Sequence, residues 1–251
     1  MSVDKFTVMT LMMCREMKGS DMNKGVHANP FGNAELIATY AENTPRKVPG
    51  LADLHRMTML LLQEQANSDA RILVVGAGGG LEVKAIGEAQ PGWAFVGVDP
   101  SAAMLDLARR NVGSIADRVQ FIEGTVDAAP VEAFDGATCL LTLHFLDKEE
   151  RLHTLTEIQR RLKPGARLVV AHHSAGRDDA VGWLTRSAAF ADRADQFGEQ
   201  AAASGRAMAK SLPLLSPHEE EELLREAGFV DVELFYAAFS FRGWVVSRSL
   251  Q

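Results

Sequence analysis

Arg-Ile-Leu-Val-Val-Gly-Ala-Gly-Gly-Gly, Arg71 to Gly80, is the stretch on which the reading of the chain turns. Ile72 to Val75 form a continuous apolar run of strand length that breaks into glycine at Gly76. A run with no polar alternate positions suits a parallel strand covered on both faces. Gly76, Gly78, Gly79 and Gly80 let the backbone turn tightly, take positive φ and approach a ligand with no Cβ in the way. Leu81 to Ala89 follow as a helix, so the loop delivers a helix N-terminus to the same place. Strand, glycine loop and helix in this order bind a nucleotide-like ligand at the carboxyl ends of an open sheet.

Downstream, further strands are predicted at Trp93–Asp99, Arg118–Gly124, within Phe134–Leu146, and at Ala166–Ser174. Helices fall between them. One starts behind Ser101 as N-cap with Met104, Leu105 and Ala108 facing inward; another begins at Lys148 and is stopped by Pro164 and Gly165. That alternation predicts a parallel sheet with helices on both faces. Residues 176–215 interrupt it with two short helices carrying Trp183, Leu184, Phe190, Phe197 and Met208. A helix then opens with Ser216 as N-cap, Pro217 at its first position and Glu219 placed for a capping box. Val230–Arg248 reads as two strands around a turn near Ser240–Gly243. Upstream, Glu35–Thr44 has helical spacing at Leu36, Ile37, Tyr40 and Ala41, broken by Pro45, Pro49 and Gly50; Leu51–Ala66 is a second helix. The predicted fold is α/β: a Rossmann-like, mostly parallel seven-stranded sheet with an antiparallel closing hairpin and helical N-terminal and inserted caps. The expected division is a helical extension and lid over 1–66, an α/β core over 67–175, a helical cap over 176–215, and a completing helix and hairpin over 216–251.

The 251 residues are 47% hydrophobic and 24% charged, which gives ample core for one such domain with additions. A net charge of −7 argues against direct contact with nucleic acid or anionic membrane, and no run spans a bilayer. Cys14 and Cys139 make neither a disulfide framework nor a zinc spacing, which fits a cytoplasmic protein without a metal. The apolar run behind Lys5 is too short for a secretion signal, and Met13 stands where a small residue is needed. Met9, Met12, Met13, Met17 and Met22 read as a frayed extension or a partner-facing helix.

Asp99 ends the second strand, 23 residues after Gly76, where a carboxylate can accept both hydroxyls of a ribose. This fits a nicotinamide or an S-adenosyl ligand. A dinucleotide fingerprint would need glycine at position 81, which is Leu81. Gly97–Ala108 and Val119–Pro130 add segments suited to ribose and adenine. With Leu162–His172 and the terminal hairpin, the chain resembles the class I S-adenosylmethionine-dependent methyltransferases over residues 68–175 and 216–249. The resemblance implies S-adenosylmethionine as cofactor. It implies that Gly76, Ala77, Gly78 and Gly80 line the methionine and ribose, that Asp99 holds the ribose hydroxyls, and that Pro100 and Met104 flank the adenine. Gly124, Thr125 and Val126 would sit at the adenine edge, and Leu140 to His144, Leu141 included, would form the floor beside the sulfonium. Two positions depart from the family's pattern. An acidic residue common two places before the first glycine is Val74, and an aspartate common after the glycine of the third-strand loop is Thr125, with Asp127 as a substitute.

Val48-Pro49-Gly50, Thr142–Arg151, Gly205–Met208 and Leu223–Val246 are similar to a narrower branch, the bacterial carboxy-S-adenosylmethionine synthases, which use a carboxylated sulfonium in tRNA modification. In that branch Arg206 falls near the arginine that would meet the extra carboxylate. The tyrosine expected after Val-Pro-Gly is Leu51, and an asparagine expected at the strand-four floor is Leu140. The expected function is therefore methyl transfer to a small molecule, with a carboxy-S-adenosylmethionine synthase-like enzyme and a non-catalytic S-adenosyl-ligand-binding regulatory module as alternatives. Methyl transfer needs a base only where the acceptor carries a proton at neutral pH. His144 and His172, with Tyr40, are the candidates, and at most one of His172 and His173 points inward on a strand's period of two. His55, Arg56 and Arg206 are candidate acceptor contacts, and the helical additions are candidate surfaces for a homodimer.

Overall fold

The computed structural model describes residues 34–176, 178–193 and 198–250; the N-terminal methionine cluster and Phe197 lie outside them. Two helices, α1 (Ala34–Lys47) and α2 (Leu51–Gln63), precede a seven-stranded sheet. Then follow β1 (Arg71–Val75), α3 (Leu81–Ala89), β2 (Ala94–Asp99), α4 (Ala102–Asn111), β3 (Val119–Glu123), β4 (Phe134–Leu140), α5 (Lys148–Arg161) and β5 (Leu162–His173). The insertion is α6 (Ala180–Ala191) and α7 (Glu199–Ser211), and the chain closes with α8 (Pro217–Glu226), β6 (Phe229–Ala238) and β7 (Phe241–Arg248).

The strand order is β3-β2-β1-β4-β5-β7-β6. β1 to β5 pair in parallel, while β7 lies antiparallel between β5 and β6. The alternation of β1 divides the core. Leu73 and Val75 face the layer built from Leu155 and Ile158 of α5, Leu223 and Leu224 of α8, and Trp244. Ile72 and Val74 face the layer built from Leu51, Leu54 and Leu62 of α2, and Val83 and Ile86 of α3. Both faces are covered, as the unbroken apolar run requires. In the insertion, α6 and α7 cross closely at Gly205, where a Cβ would stand 2.7 Å from the Thr185 backbone nitrogen.

Three expected boundaries move. Pro45 does not break α1: it sits in the last turn, where its missing N–H forgoes a single bond back to the Ala41 carbonyl and the helix ends two residues on. The α5 helix ends at Arg161, before Pro164; Leu162 already pairs with Phe134, and residues 163–166 loop out as an irregularity of β5. The hairpin turns at Phe239–Ser240, earlier than Ser240–Gly243, with Phe239 at φ 52° and Phe241 already paired with Ala238. The Ser101 cap and the Ser216–Glu219 capping box form, and Asp147 with Glu150 makes a second capping box at α5.

Candidate active site

The loop after β1 turns through Gly76 at φ 74°, Gly78 at φ 49° and Gly80 at φ 75°. Gly76 and Ala77 both donate their N–H to Val98 O, at 2.9 and 3.0 Å, which ties the loop to the end of β2. A Cβ on Gly76 would stand 2.0 Å from Thr142 Oγ1, so glycine here permits contact between the loop and the end of β4. Asn111, at the end of α4, donates from Nδ2 to Gly79 O at 2.8 Å.

Asp99 is 93% shielded from solvent and holds the second corner of the site (7% exposed). Its Oδ2 accepts from Gly78 N at 2.9 Å and its Oδ1 from Ser101 N at 2.9 Å. Burial pushes its carboxyl up, against these two backbone donors. Each oxygen keeps a lone-pair direction for a vicinal diol. Met104 is buried with Leu107 against Tyr40, while Pro100 is exposed. Gly124, at φ 139°, donates to Asp99 O at 3.0 Å, which sets the third-strand loop beside the same carboxylate. Val126 is buried; Thr125 is exposed and donates to Asp127 Oδ2 at 2.9 Å. Asp127 Oδ1 lies 2.9 Å from His153 Nε2, so the proposed aspartate substitute already has two partners.

Tyr40 lies across the loop. A Cβ on Gly79 would stand 2.6 Å from its ring, and one on Gly78 would stand 3.1 Å from its hydroxyl. Burial, then the charge of Glu82, pushes its phenol up to about 12. The phenol is neutral at that value, and its ring covers the loop. At the end of β4, Leu141 takes φ 58°, an uncommon conformation for a non-glycine residue, and donates to Ala171 O at 2.6 Å. Leu140 is buried core.

The histidines do not group as expected. His144 and His173 meet edge to face with ring centres 5.0 Å apart, and His173 stacks on Phe241. His173 Nδ1 lies 2.7 Å from Ser240 Oγ, which lies 2.6 Å from Ser187 Oγ on α6. His172 points to the other face, against Trp244, with Nε2 3.0 Å from Glu220 Oε1. Arg151 makes a buried ion pair with the same oxygen. Burial pushes Glu220 up, but His172 and Arg151 outweigh it and hold the carboxyl below its usual range. His172 is therefore buried beside the Arg151–Glu220 ion pair, between α5, β5 and α8. Glu220, in the first turn of α8, is the buried carboxylate between His172 and Arg151 (1% exposed). Burial, helped by His173, holds His144 well below its ordinary value, and its Nδ1 is buried with no hydrogen-bond partner. Unpaired buried nitrogen of this kind is costly unless a ligand or water meets it.

The three expected acceptor contacts are scattered. His55 is buried on α2, where burial lowers it to about 4. Arg56, one residue on, is exposed. Arg206 pairs with Glu199 at 2.5 Å and lines a cavity of about 570 Å³ with Ala175, Val181, Lys210 and Leu214. No residue of the glycine loop or of the β4 end lines that cavity. Among the described residues no cluster of metal-ligating side chains is present, and no helix is long and apolar enough to cross a membrane.

Residues 72–165 match a family described as a methyltransferase domain. Over 220 residues the chain is 29% identical to the carboxy-S-adenosyl-L-methionine synthase of Erwinia tasmaniensis, covering 85% of this chain and 89% of that protein. Among solved structures it is similar to a putative O-methyltransferase from Nostoc punctiforme, with TM-score 0.64 and 18% identity over 97% of this chain and 68% of that one. It is also similar to human N-acetylserotonin methyltransferase, solved in complex with SAM, with TM-score 0.56 and 17% identity over 86% of this chain and 59% of that one. The chain is an enzyme with the fold of the S-adenosylmethionine-dependent methyltransferases, and residues 72–165 are where it is similar to a methyltransferase domain.

Proposed function

We propose that the protein transfers a methyl group from S-adenosylmethionine to a small molecule by direct displacement. The observation that carries this reading is the junction of the glycine loop with Asp99. There a buried carboxylate is held by Gly78 and Ser101 N–H groups and keeps acceptor capacity for a ribose diol. The residues present fit the cofactor: the loop offers backbone with no Cβ, Asp99 suits the diol, and Met104 offers an apolar wall. When bound, the cofactor supplies an electrophilic methyl on a sulfonium. The chain's own part is alignment and exclusion of water. Tyr40 covers the loop, and α1 packs on both α4 and α6, so lid and insertion close one edge together. His144, neutral because of its burial, can accept a hydrogen bond from an acceptor hydroxyl at its unpaired Nδ1. It orients that group more than it removes the proton.

A second reading, a carboxylated sulfonium as product or ligand, is favoured by the likeness to the synthase relative, 29% identical over 85% of this chain. Three features weigh against it: Leu51 and Leu140 are buried hydrocarbon, and Arg206 is engaged with Glu199 outside the loop. Mass analysis of ligand released from purified protein separates the two. S-adenosylmethionine or S-adenosylhomocysteine, with turnover in a methyl-acceptor screen, supports methyl transfer. A carboxylated sulfonium supports the second reading. An S-adenosyl ligand with no turnover across the screen would leave a binding module, and a nicotinamide would overturn the whole assignment.

A further inference from the structure

Glu82 is a buried carboxyl in the first turn of α3, directly behind the glycine loop (7% exposed). Its hydrogen-bond partner is Thr138 of β4, whose hydroxyl donates to Oε1, and no cation pairs with it among the described residues. A carboxyl out of water with no cation costs several kcal/mol as the anion, so such groups shift or wait for a charged ligand. Burial pushes it up to about 7, against the Thr138 bond. Two facts place it beside the glycine loop. Thr138 is the register neighbour of Val74, the last strand position but one before Gly76, and parallel neighbours share a face. The charge of Glu82 also acts on Tyr40, whose ring rests on Gly78 and Gly79.

We infer that Glu82, anchored by Thr138, receives the ammonium group of the cofactor's amino-acid end, in place of a carboxylate on β1, where the chain has Val74. The inference rests on the S-adenosyl reading above. Loop and helix bring the carboxyl to the sheet face on which a side chain at position 74 would project, so one acidic group serves from α3 in place of β1. Its ionisation then follows ligand binding: the ammonium favours the carboxylate, and part of the Glu82 population loses a proton near pH 7. Other groups around it do not titrate between pH 6 and 8. Tyr40 is pushed up to about 12, burial pushes Cys139 up, and His55 lies at about 4. Asp99 sits at the ribose end, common to ligands with and without the ammonium.

The test is calorimetric binding of S-adenosylhomocysteine beside its deaminated analogue, which keeps the adenosine and the carboxylate. In the natural protein the ratio of the two affinities should rise about tenfold from pH 6 to pH 8, following ionisation near 7. Glu82→Gln should weaken S-adenosylhomocysteine at least tenfold at pH 8, leave the deaminated analogue within twofold, and flatten the pH dependence of the ratio. Thr138→Val should give an intermediate loss for the ammonium ligand alone. Equal losses for both ligands, or a pH-independent ratio in the natural protein, would overturn the role of Glu82 and leave the S-adenosyl reading standing. Failure of both ligands to bind the natural protein would overturn that reading itself, and this inference with it. Should Glu82→Gln not fold, the pH series on the natural protein decides alone.

Discussion

At the scale of single residues, two groups set whether a cofactor is held at all. Asp99→Ala removes a charged acceptor and leaves the Gly78 and Ser101 N–H groups without their partner. The expected loss is about 1.5–3 kcal/mol of binding, or roughly 10- to 150-fold. Titration calorimetry with S-adenosylhomocysteine reads it directly, and unchanged affinity would mean that no ribose sits there. Gly76→Ala acts through space and backbone together, since its Cβ would meet Thr142 Oγ1 at 2.0 Å and φ 74° disfavours any L side chain. The β1 loop and β4 end must part. Binding should be lost and the melting temperature lowered, whereas Thr142→Ala in the same background should recover some stability by clearing the space. Tyr40 is placed by its ring, which packs against Gly78 and Gly79, while burial raises its phenol.

At the scale of elements, the Arg151–Glu220–His172 cluster joins α5, α8 and β5 where both helices pack on the sheet. Arg151→Ala would leave Glu220 buried with only His172 beside it, at an expected cost of about 3–5 kcal/mol. Urea unfolding would show this as a lower midpoint, and a loss within about 0.5 kcal/mol would mean that water reaches the pair. This cluster also marks where the chain's text stops being readable. The glycine loop and the Ser216 capping box are local patterns, each complete within a few residues, and both stand in the structure; the Asp99 corner spans 21 residues, and the strand that ends at Asp99 made it readable. Glu220 and Arg151 are 69 residues apart, each in a charged helical segment that looks solvated, and only packing of α5 on α8 buries them. His172 and His173 are adjacent in sequence, so period two separates them but does not say which faces His144. The Glu82–Thr138 contact was hidden in the same way, 56 residues apart across a loop and a strand.

At the scale of the whole molecule, burial of neutral histidines couples stability to pH. His55 is lowered to about 4 and His173 to about 3, both first by burial. A depressed folded-state value means the unfolded chain takes up protons first, so stability is full above about 6.5 and falls as pH drops through 4. The melting temperature should decline over that window, and His55→Gln should remove part of the decline. Glu82 runs the other way: its folded value is raised, so its contribution is present below about 4.5 and is lost as pH rises through 7. The architecture was readable because strand and helix periods repeat along the chain, while the lid and insertion, lacking such a repeat, left their contacts to tertiary packing. Strand order has one more consequence. β7 is the last strand in the chain yet lies inside the sheet, between β5 and β6. During synthesis the β5 edge and all of β6 therefore stay unpaired until residues 241–248 have left the ribosome. A chain truncated after residue 240 should engage chaperones or precipitate, because pairing of residues 241–248 is the step that closes the sheet.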